Sequence, residues 1–332
     1  MPDTPALHSR ILGTGAYAPE RVLTNFDLEK MVDTSDAWIR ERTGIRERRI
    51  ASPEEATSDM AHVAARRALE MAGLTPADLD MIIVGTVSPD LPMPACAAFL
   101  QRKLGVTDIP AFDVSAACAG FLYALSIGDQ FIRSGQHRHV LVVGAELLSR
   151  MLDWEDRTTC VLFGDGAGAA VLGRGVGEGG RVLSTRLYTD SSLADSLCIR
   201  AGGSRERITP EALDAKRDKV FMNGRDIFKI AVRNLTSASA SALEDARLSS
   251  AEVRWVVPHQ ANLRIIAQVA QRLEIPLERF VLNIERFGNT SSASIPIALD
   301  EAVRDGRIRP GDTVLMCALG GGVSWASALV RM

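Results

Sequence analysis

The chain has 332 residues, 46% hydrophobic and 24% charged, with a formal net charge of −3. That is the composition of a globular protein of two domains, or of one domain built from two halves. The basic residues are interleaved with acidic ones and form no tail, which argues against nucleic acid as a partner, and the apolar stretches are broken well short of a bilayer span, which argues against a membrane one.

In chain order, Met1-Pro-Asp-Thr-Pro5 has neither a basic region nor an apolar run, so no signal peptide is expected. Gly13-Thr-Gly15 lacks the spacing of a dinucleotide loop. Residues 68–84 read as an amphipathic helix, a turn and a buried strand. His62 lies on the helical stretch before them and is expected at the surface. The strand Phe112-Asp-Val114 runs into a helix whose residues after Cys118 are small or apolar almost to Ile127. Such a helix is buried on all sides, and its first turn points a thiol and unpaired N–H groups inward. The positive end of a helix favours the thiolate, so Cys118 is a candidate nucleophile, although a free cysteine on an apolar helix is most often a small core residue. His137 and His139 flank Arg138 after a Ser-Gly turn and read as a solvated loop rather than a metal site. Residues 140–144 read as a strand, and Gly164-Asp-Gly-Ala-Gly168 runs into another. From Gly173 to Arg217 the chain turns Gly-, Ser- and charge-rich, which reads as connecting structure and loops.

The second half repeats the first. Residues 242–257 resemble 68–84. Val281-Leu-Asn-Ile284 with the run from Gly288 to Leu299 parallels the Cys118 strand and helix. Residues 313–316 parallel 140–144, and 320–330 parallel 164–172. A duplicated α/β unit around largely parallel sheets accounts for one order kept throughout. Ligands of such sheets sit beyond the carboxyl ends of the strands. His259 follows the strand 254–258, and the counterpart of Cys118 falls near Asn289, so the three residues are expected to converge between the halves. The Gly320-Gly321-Gly322 run lets backbone approach a ligand, and its N–H groups with that of Cys118 would make an oxyanion hole. The five cysteines, 96, 118, 160, 198 and 317, are odd in number and widely spaced. They suggest neither a disulfide framework nor a metal site, but a reduced, cytoplasmic protein.

Four blocks carry a resemblance that covers nearly the whole chain: residues 33–46 with Trp38 and Arg42, Ala-Ala-Cys118-Ala-Gly, Pro-His259-Gln-Ala-Asn262-Leu-Arg264, and Gly-Asn289-Thr-Ser-Ser-Ala-Ser. The chain resembles the β-ketoacyl-[acyl-carrier-protein] synthase III family. The resemblance implies a thiolase-like, duplicated α-β-α-β-α layered fold. Residues 1–175 would form a half carrying the nucleophilic Cys118, and residues 176–332 a half carrying His259 and Asn289. It implies a decarboxylative Claisen condensation that initiates fatty acid synthesis. Cys118 takes the acyl group of a short acyl-CoA, acetyl-CoA foremost, and malonyl-acyl carrier protein supplies the carbanion. His259 and Asn289 would stabilise its enolate, and the N–H groups of Cys118 and Gly321 the tetrahedral oxyanion. Thr34, Trp38, Arg42, Arg157 and Asn262 would bind CoA. Arg264, Lys229 and Arg225 would dock the acidic carrier, and Met93 would reach the acyl pocket across a homodimer interface. No metal or cofactor beyond the CoA thioester is implied. A specialised-metabolism condensing enzyme, quinolone-type or long-chain head-to-head, stays open as an alternative on the same triad. So do an acyl-CoA hydrolase and a catalytically silent subunit.

Overall fold

A computed structural model describes residues 7–175, 177 and 179–332. Met1–Pro5, read for a signal sequence, and residue 176, where the second half was expected to begin, lie outside them.

Two sheets organise the chain. The five-stranded sheet has the order His8–Tyr17, Gly166–Gly175, His139–Glu146, Met81–Gly85, Ala111–Val114. The four-stranded sheet repeats it as Arg181–Thr189, Ser324–Arg331, Thr313–Gly320, Trp255–Pro258. The fifth place in the second sheet is held only by an isolated bridge between Val256 and Phe280, backed by Val281 N–H donating to Val256 C=O at 2.8 Å. The strand expected at 281–284 stops there. Asn283 leaves the extended region (ψ 12°) and Ile284–Phe287 forms a helical turn.

The sheets are mixed rather than largely parallel. Met81–Gly85 is parallel to both neighbours, whereas Gly166–Gly175 runs antiparallel to both of its own. In the second sheet Thr313–Gly320 and Ser324–Arg331 are joined by three residues, too short a link for a parallel crossover. The stretch read as loops also contains a strand, Arg181–Thr189, paired along the second sheet's edge. Its Val182 packs on one core and Leu183 on the other, so the strand lacks a simple apolar/polar alternation that would stand out from the Gly-rich composition around it. A two-stranded ribbon, Leu197–Ile199 with Val220–Met222, lies in the same region.

Alternation along the strands builds the layers. Ile83, Val140, Val142 and Leu172 share one core with Val257, Val314, Met316 and Ala328, and with Phe121, Leu125, Ile295 and Leu299. Helices Gly120–Arg133 and Ser294–Arg304 are therefore sandwiched between the sheets. The opposite faces hold Ile82, Val84 and Val143 against helix Thr57–Ala72, and Val256, Leu315 and Leu329 against helices Gly224–Ala246 and Leu263–Leu273. The result is an α-β-α-β-α stack. Gly13 and Gly15 belong to its packing: a Cβ on either would run into the backbone of helix Thr57–Ala72.

The turns that enter the two middle helices share a backbone signature. Ala117 has φ +45° and Ser291 φ +49°, each opening a three-residue 3-10 turn. The counterpart of Cys118 is therefore Ser292, three positions beyond the Asn289 neighbourhood in which the repeat placed it.

Candidate active site

Cys118 lies in the turn Ala117–Ala119 and is 6% exposed. The end of strand Thr313–Gly320 closes on it so tightly that a Cβ on Gly320 would strike the Cys118 amide nitrogen. Only glycine permits that approach. The turn of Ser291 closes from another side: a Cβ on Gly120 would stand 3.3 Å from Ser292 Cβ. Burial pushes the Cys118 thiol up to about 12, and the Glu146 charge adds to the rise. The nearby Ser291 hydroxyl and the residue's own backbone oppose it. The resting side chain is thus a thiol. The helix terminus was expected to favour the thiolate, but desolvation of the sulfur anion outweighs it.

His259 follows strand Trp255–Pro258, and its N–H donates to Cys317 C=O at 2.8 Å. Gln260 Nε2 donates to Pro258 C=O at 2.8 Å and Val281 C=O at 3.1 Å, which holds the loop. The imidazole is 4% exposed, yet neither ring nitrogen has a hydrogen-bond partner among the described residues. Burial alone takes its pKa down to about 3, so the ring is neutral and carries a donor and an acceptor. Leaving such a group unpaired costs about 1–3 kcal/mol, which a folded protein tolerates where a ligand completes the pairing.

Asn289 is fixed on three sides. Its N–H donates to Leu162 C=O at 2.8 Å, its C=O accepts from Gly164 N–H at 3.0 Å, and its Oδ1 accepts from Ser291 N–H at 2.8 Å. With Oδ1 so engaged, Nδ2 is the side chain's remaining donor. The Cys118 turn thus packs against strand Thr313–Gly320 and against the turn that follows Asn289, and His259 follows the strand paired with Thr313–Gly320.

A cavity of about 480 Å³ opens beside Cys118. Gly321 and Ser291 line its polar side, and Leu148, Met151 and Phe163 its apolar side. His259 and Asn289 are not in its lining. Neither is Met93, which is 84% exposed. The structure does not bring Met93 to the pocket of its own chain.

The residues expected to bind CoA gather elsewhere. Trp38 sits on helix Asp36–Thr43, with the Arg42 and Arg157 guanidinium carbons 4.9 and 5.4 Å from its ring centroid. Arg157 Nη1 also donates to Asp33 C=O at 2.8 Å. Thr34 Oγ1 is buried with no hydrogen-bond partner among the described residues. Asn262 is committed structurally: its Oδ1 accepts from Arg264 N–H at 2.8 Å, and its Nδ2 donates to Arg42 C=O at 3.0 Å. These bonds fasten two helices and leave one Nδ2 hydrogen and one Oδ1 lone pair of Asn262 uncommitted by them. Arg225, Lys229 and Arg264 are exposed on the adjoining helices Gly224–Ala246 and Leu263–Leu273. No salt bridge holds any of them among the described residues.

Two residues at this site escaped the sequence reading, Glu146 and Ser291. The available signal was a glutamate ending the apolar strand His139–Glu146, a position that faces the ligand end of a sheet.

The family described as 3-oxoacyl-[acyl-carrier-protein (ACP)] synthase III matches residues 112–191, and its C-terminal family matches residues 243–332. A β-ketoacyl-[acyl-carrier-protein] synthase III of Caldanaerobacter subterraneus subsp. tengcongensis is 50% identical over 321 residues, 97% of each chain. The protein of that name from Methylococcus capsulatus is 52% identical over 324 residues, 98% of this chain and 99% of its own. The crystal structure of 3-oxoacyl-[acyl-carrier-protein] synthase III from Aquifex aeolicus VF5 superimposes with a TM-score of 0.90 at 48% identity, covering 98% of this chain and 100% of that one. Likeness of this extent, on a fold that packs a cysteine turn against a glycine-ended strand between two repeated sheets, means that the chain belongs to the β-ketoacyl-[acyl-carrier-protein] synthase III family.

Proposed function

We propose that the chain is an acyltransferase that condenses an acyl-CoA primer with malonyl-acyl carrier protein, losing CO2 and initiating fatty acid synthesis. The observation that carries this reading is His259, buried and neutral with both ring nitrogens unpaired, on the strand pair that ends against Cys118. Cys118 attacks the primer thioester, keeps the acyl group and releases CoA. The malonyl thioester oxygen then accepts from His259 and from Asn289 Nδ2. Neither donor is charged, so the enolate formed on loss of CO2 meets no opposing anion on them. The carbanion attacks the acyl-Cys118, whose oxyanion rests on the N–H groups of Cys118 and Gly321. One such donor is worth about 3 kcal/mol of barrier. Decarboxylation supplies the carbanion, so these steps call on no metal or redox group.

Trp38 and Arg157 offer flat surfaces for the CoA adenine, with Arg42 and the Thr34 hydroxyl beside them. Arg157 lies against the indole in the free chain, so an adenine between them requires its displacement. Arg225, Lys229 and Arg264 offer exposed positive charge to an acidic carrier. Met93 completes the acyl pocket of a second copy in a homodimer, which accounts for its exposure here. No described helix is long and apolar enough to cross a membrane, and the reaction is assigned to the cytoplasm.

The cavity of about 480 Å³ beside Cys118 is lined by one chain alone, and the Met93 of a second copy would take up part of it, so primer length is read by experiment. The test is intact mass after incubation with acyl-CoAs of increasing length, beside Cys118→Ala, then addition of malonyl-carrier protein. Adducts that require Cys118 and are discharged as β-ketoacyl-carrier protein are expected. No adduct with any acyl-CoA would overturn the reading, and adducts that the carrier cannot discharge would move it to a different nucleophile.

A further inference from the structure

Glu146 ends its strand fully buried, with no cation paired to it among the described residues. All its donors are neutral. Its Oε2 accepts from Ser88 Oγ at 2.6 Å, Val87 N–H at 3.1 Å and Thr86 Oγ1 at 3.2 Å. Its Oε1 accepts from Ser291 Oγ at 3.1 Å. Ser291 lines the cavity that Cys118 lines. Its left-handed backbone, φ +49°, is a conformation that costs a non-glycine residue about 1–3 kcal/mol. It is held there by its N–H bond to Asn289 Oδ1. A buried carboxylate without a cation is costly, and such groups cluster where chemistry uses them.

We propose that Ser291 and Glu146 form a proton relay to Cys118, a step that rests on the reading of Cys118 as acyl acceptor. The Cys118 S–H proton passes to Ser291 Oγ as the Ser291 hydroxyl proton passes to Glu146 Oε1. One S–H and one O–H bond break, two O–H bonds form, and no electrons are exchanged. The thiolate left behind faces the Ser291 hydroxyl, and Glu146 is neutral at the moment that negative charge appears on sulfur. When acyl transfer expels the CoA thiolate, the reverse passage returns the proton to that sulfur. The turns that carry Cys118 and Ser291 pack on each other and both residues line the one cavity; burial raises both the Cys118 and the Glu146 pKa, and the Ser291 hydroxyl lowers that of Cys118. Among the described residues Glu146 is the one charged group acting on the thiol, and no cation acts on Cys118. His259, the other titratable group at the site, is neutral above about pH 3.

A proton moved within the relay is not taken from solvent. The thiolate fraction it creates is independent of pH while the pair shares one proton. The experiment is the rate of Cys118 alkylation by iodoacetamide, followed by intact mass from about pH 5 to 9, on wild type, Glu146→Gln, Ser291→Ala and Glu146→Asp. The wild type is expected to react at a nearly flat rate, and Glu146→Asp to retain a flat span. Glu146→Gln and Ser291→Ala are expected to climb about tenfold per pH unit, as a lone thiol does, and to fall about tenfold or more below wild type at the acid end. A wild-type rate that itself climbs tenfold per unit, or a flat profile kept by Ser291→Ala, overturns the relay. Ser291→Ala removes one hydroxyl and leaves three donors on Glu146, so misfolding of Glu146→Gln does not end the test. The probe needs no acyl-CoA. A flat profile in a protein that no acyl-CoA acylates would therefore keep the relay and reject the acyl-acceptor reading.

Discussion

The side chain that best separates function from stability is His259. Its depressed pKa, about 3 against an ordinary 6.5, means that the unfolded chain binds a proton over an interval in which the folded chain does not. Stability therefore rises with pH between those values and is lost as pH falls below 6.5 towards 3. At pH 4 this group alone costs the folded state about 3 kcal/mol. His259→Gln removes that term, so its urea midpoint should fall less between pH 7 and 4 than that of the wild type. Equal falls would mean that the ring is not buried neutral. The same substitution should lower condensation about 10²–10³-fold at pH 7 while changing stability little, because the imidazole has no native bond to lose. His259 was legible in sequence because a polar residue stood where an apolar strand stopped. Glu146 was passed over, though it stands at the equivalent end of its own strand. What distinguishes it is the set of donors that folding brings from residues 86–88 and 291, which no local pattern encodes.

Elements position the chemistry through a few close approaches. The end of strand Thr313–Gly320 meets the Cys118 turn backbone to backbone, so Gly320→Ala should force the two apart. We expect a loss of about 1–3 kcal/mol in urea unfolding, and Cys118 acylation that falls further than the stability loss explains. Ordinary acylation in a folded Gly320→Ala protein would show that the strand end does not define the site. Helix Asp36–Thr43 does its work at the surface. Trp38→Ala there should raise the KM for acyl-CoA about five- to tenfold, the worth of a stacking contact near 1 kcal/mol, with kcat held. A fall in kcat at constant KM would remove Trp38 from ground-state binding. Helices and buried strands were readable from periodicity alone. Strand direction, the edge strand Arg181–Thr189 and the truncation at Asn283 were not, since each depends on what the chain pairs with rather than on its own pattern.

At the scale of the molecule the two halves divide the labour that a duplicated fold permits. In the proposed mechanism one half supplies the cysteine turn and the other the neutral histidine, the asparagine and the glycine-ended strand, so each alone would lack half the chemistry. The repeat was visible in sequence because sheet order and helix insertion are preserved, whereas the residue-level match, Ser292 for Cys118, required the backbone. In the proposed reading the two substrates meet surfaces of different character: stacking side chains around Trp38 for the nucleotide, and the cations Arg225, Lys229 and Arg264, without a salt bridge among the described residues, for the carrier. Charge steering falls with ionic strength and stacking does so far less. The double reversal Lys229→Glu with Arg264→Glu should therefore raise the KM for malonyl-carrier protein about tenfold or more at low salt, and the gap from wild type should narrow as salt is added. The rate of primer transfer from acyl-CoA to Cys118, measured by mass in the same preparations, reports on the other surface and separates a docking defect from a folding one. Loss of both half-reactions together would place these residues in the scaffold. A carrier KM unaltered by reversal would move the docking face to another part of the molecule.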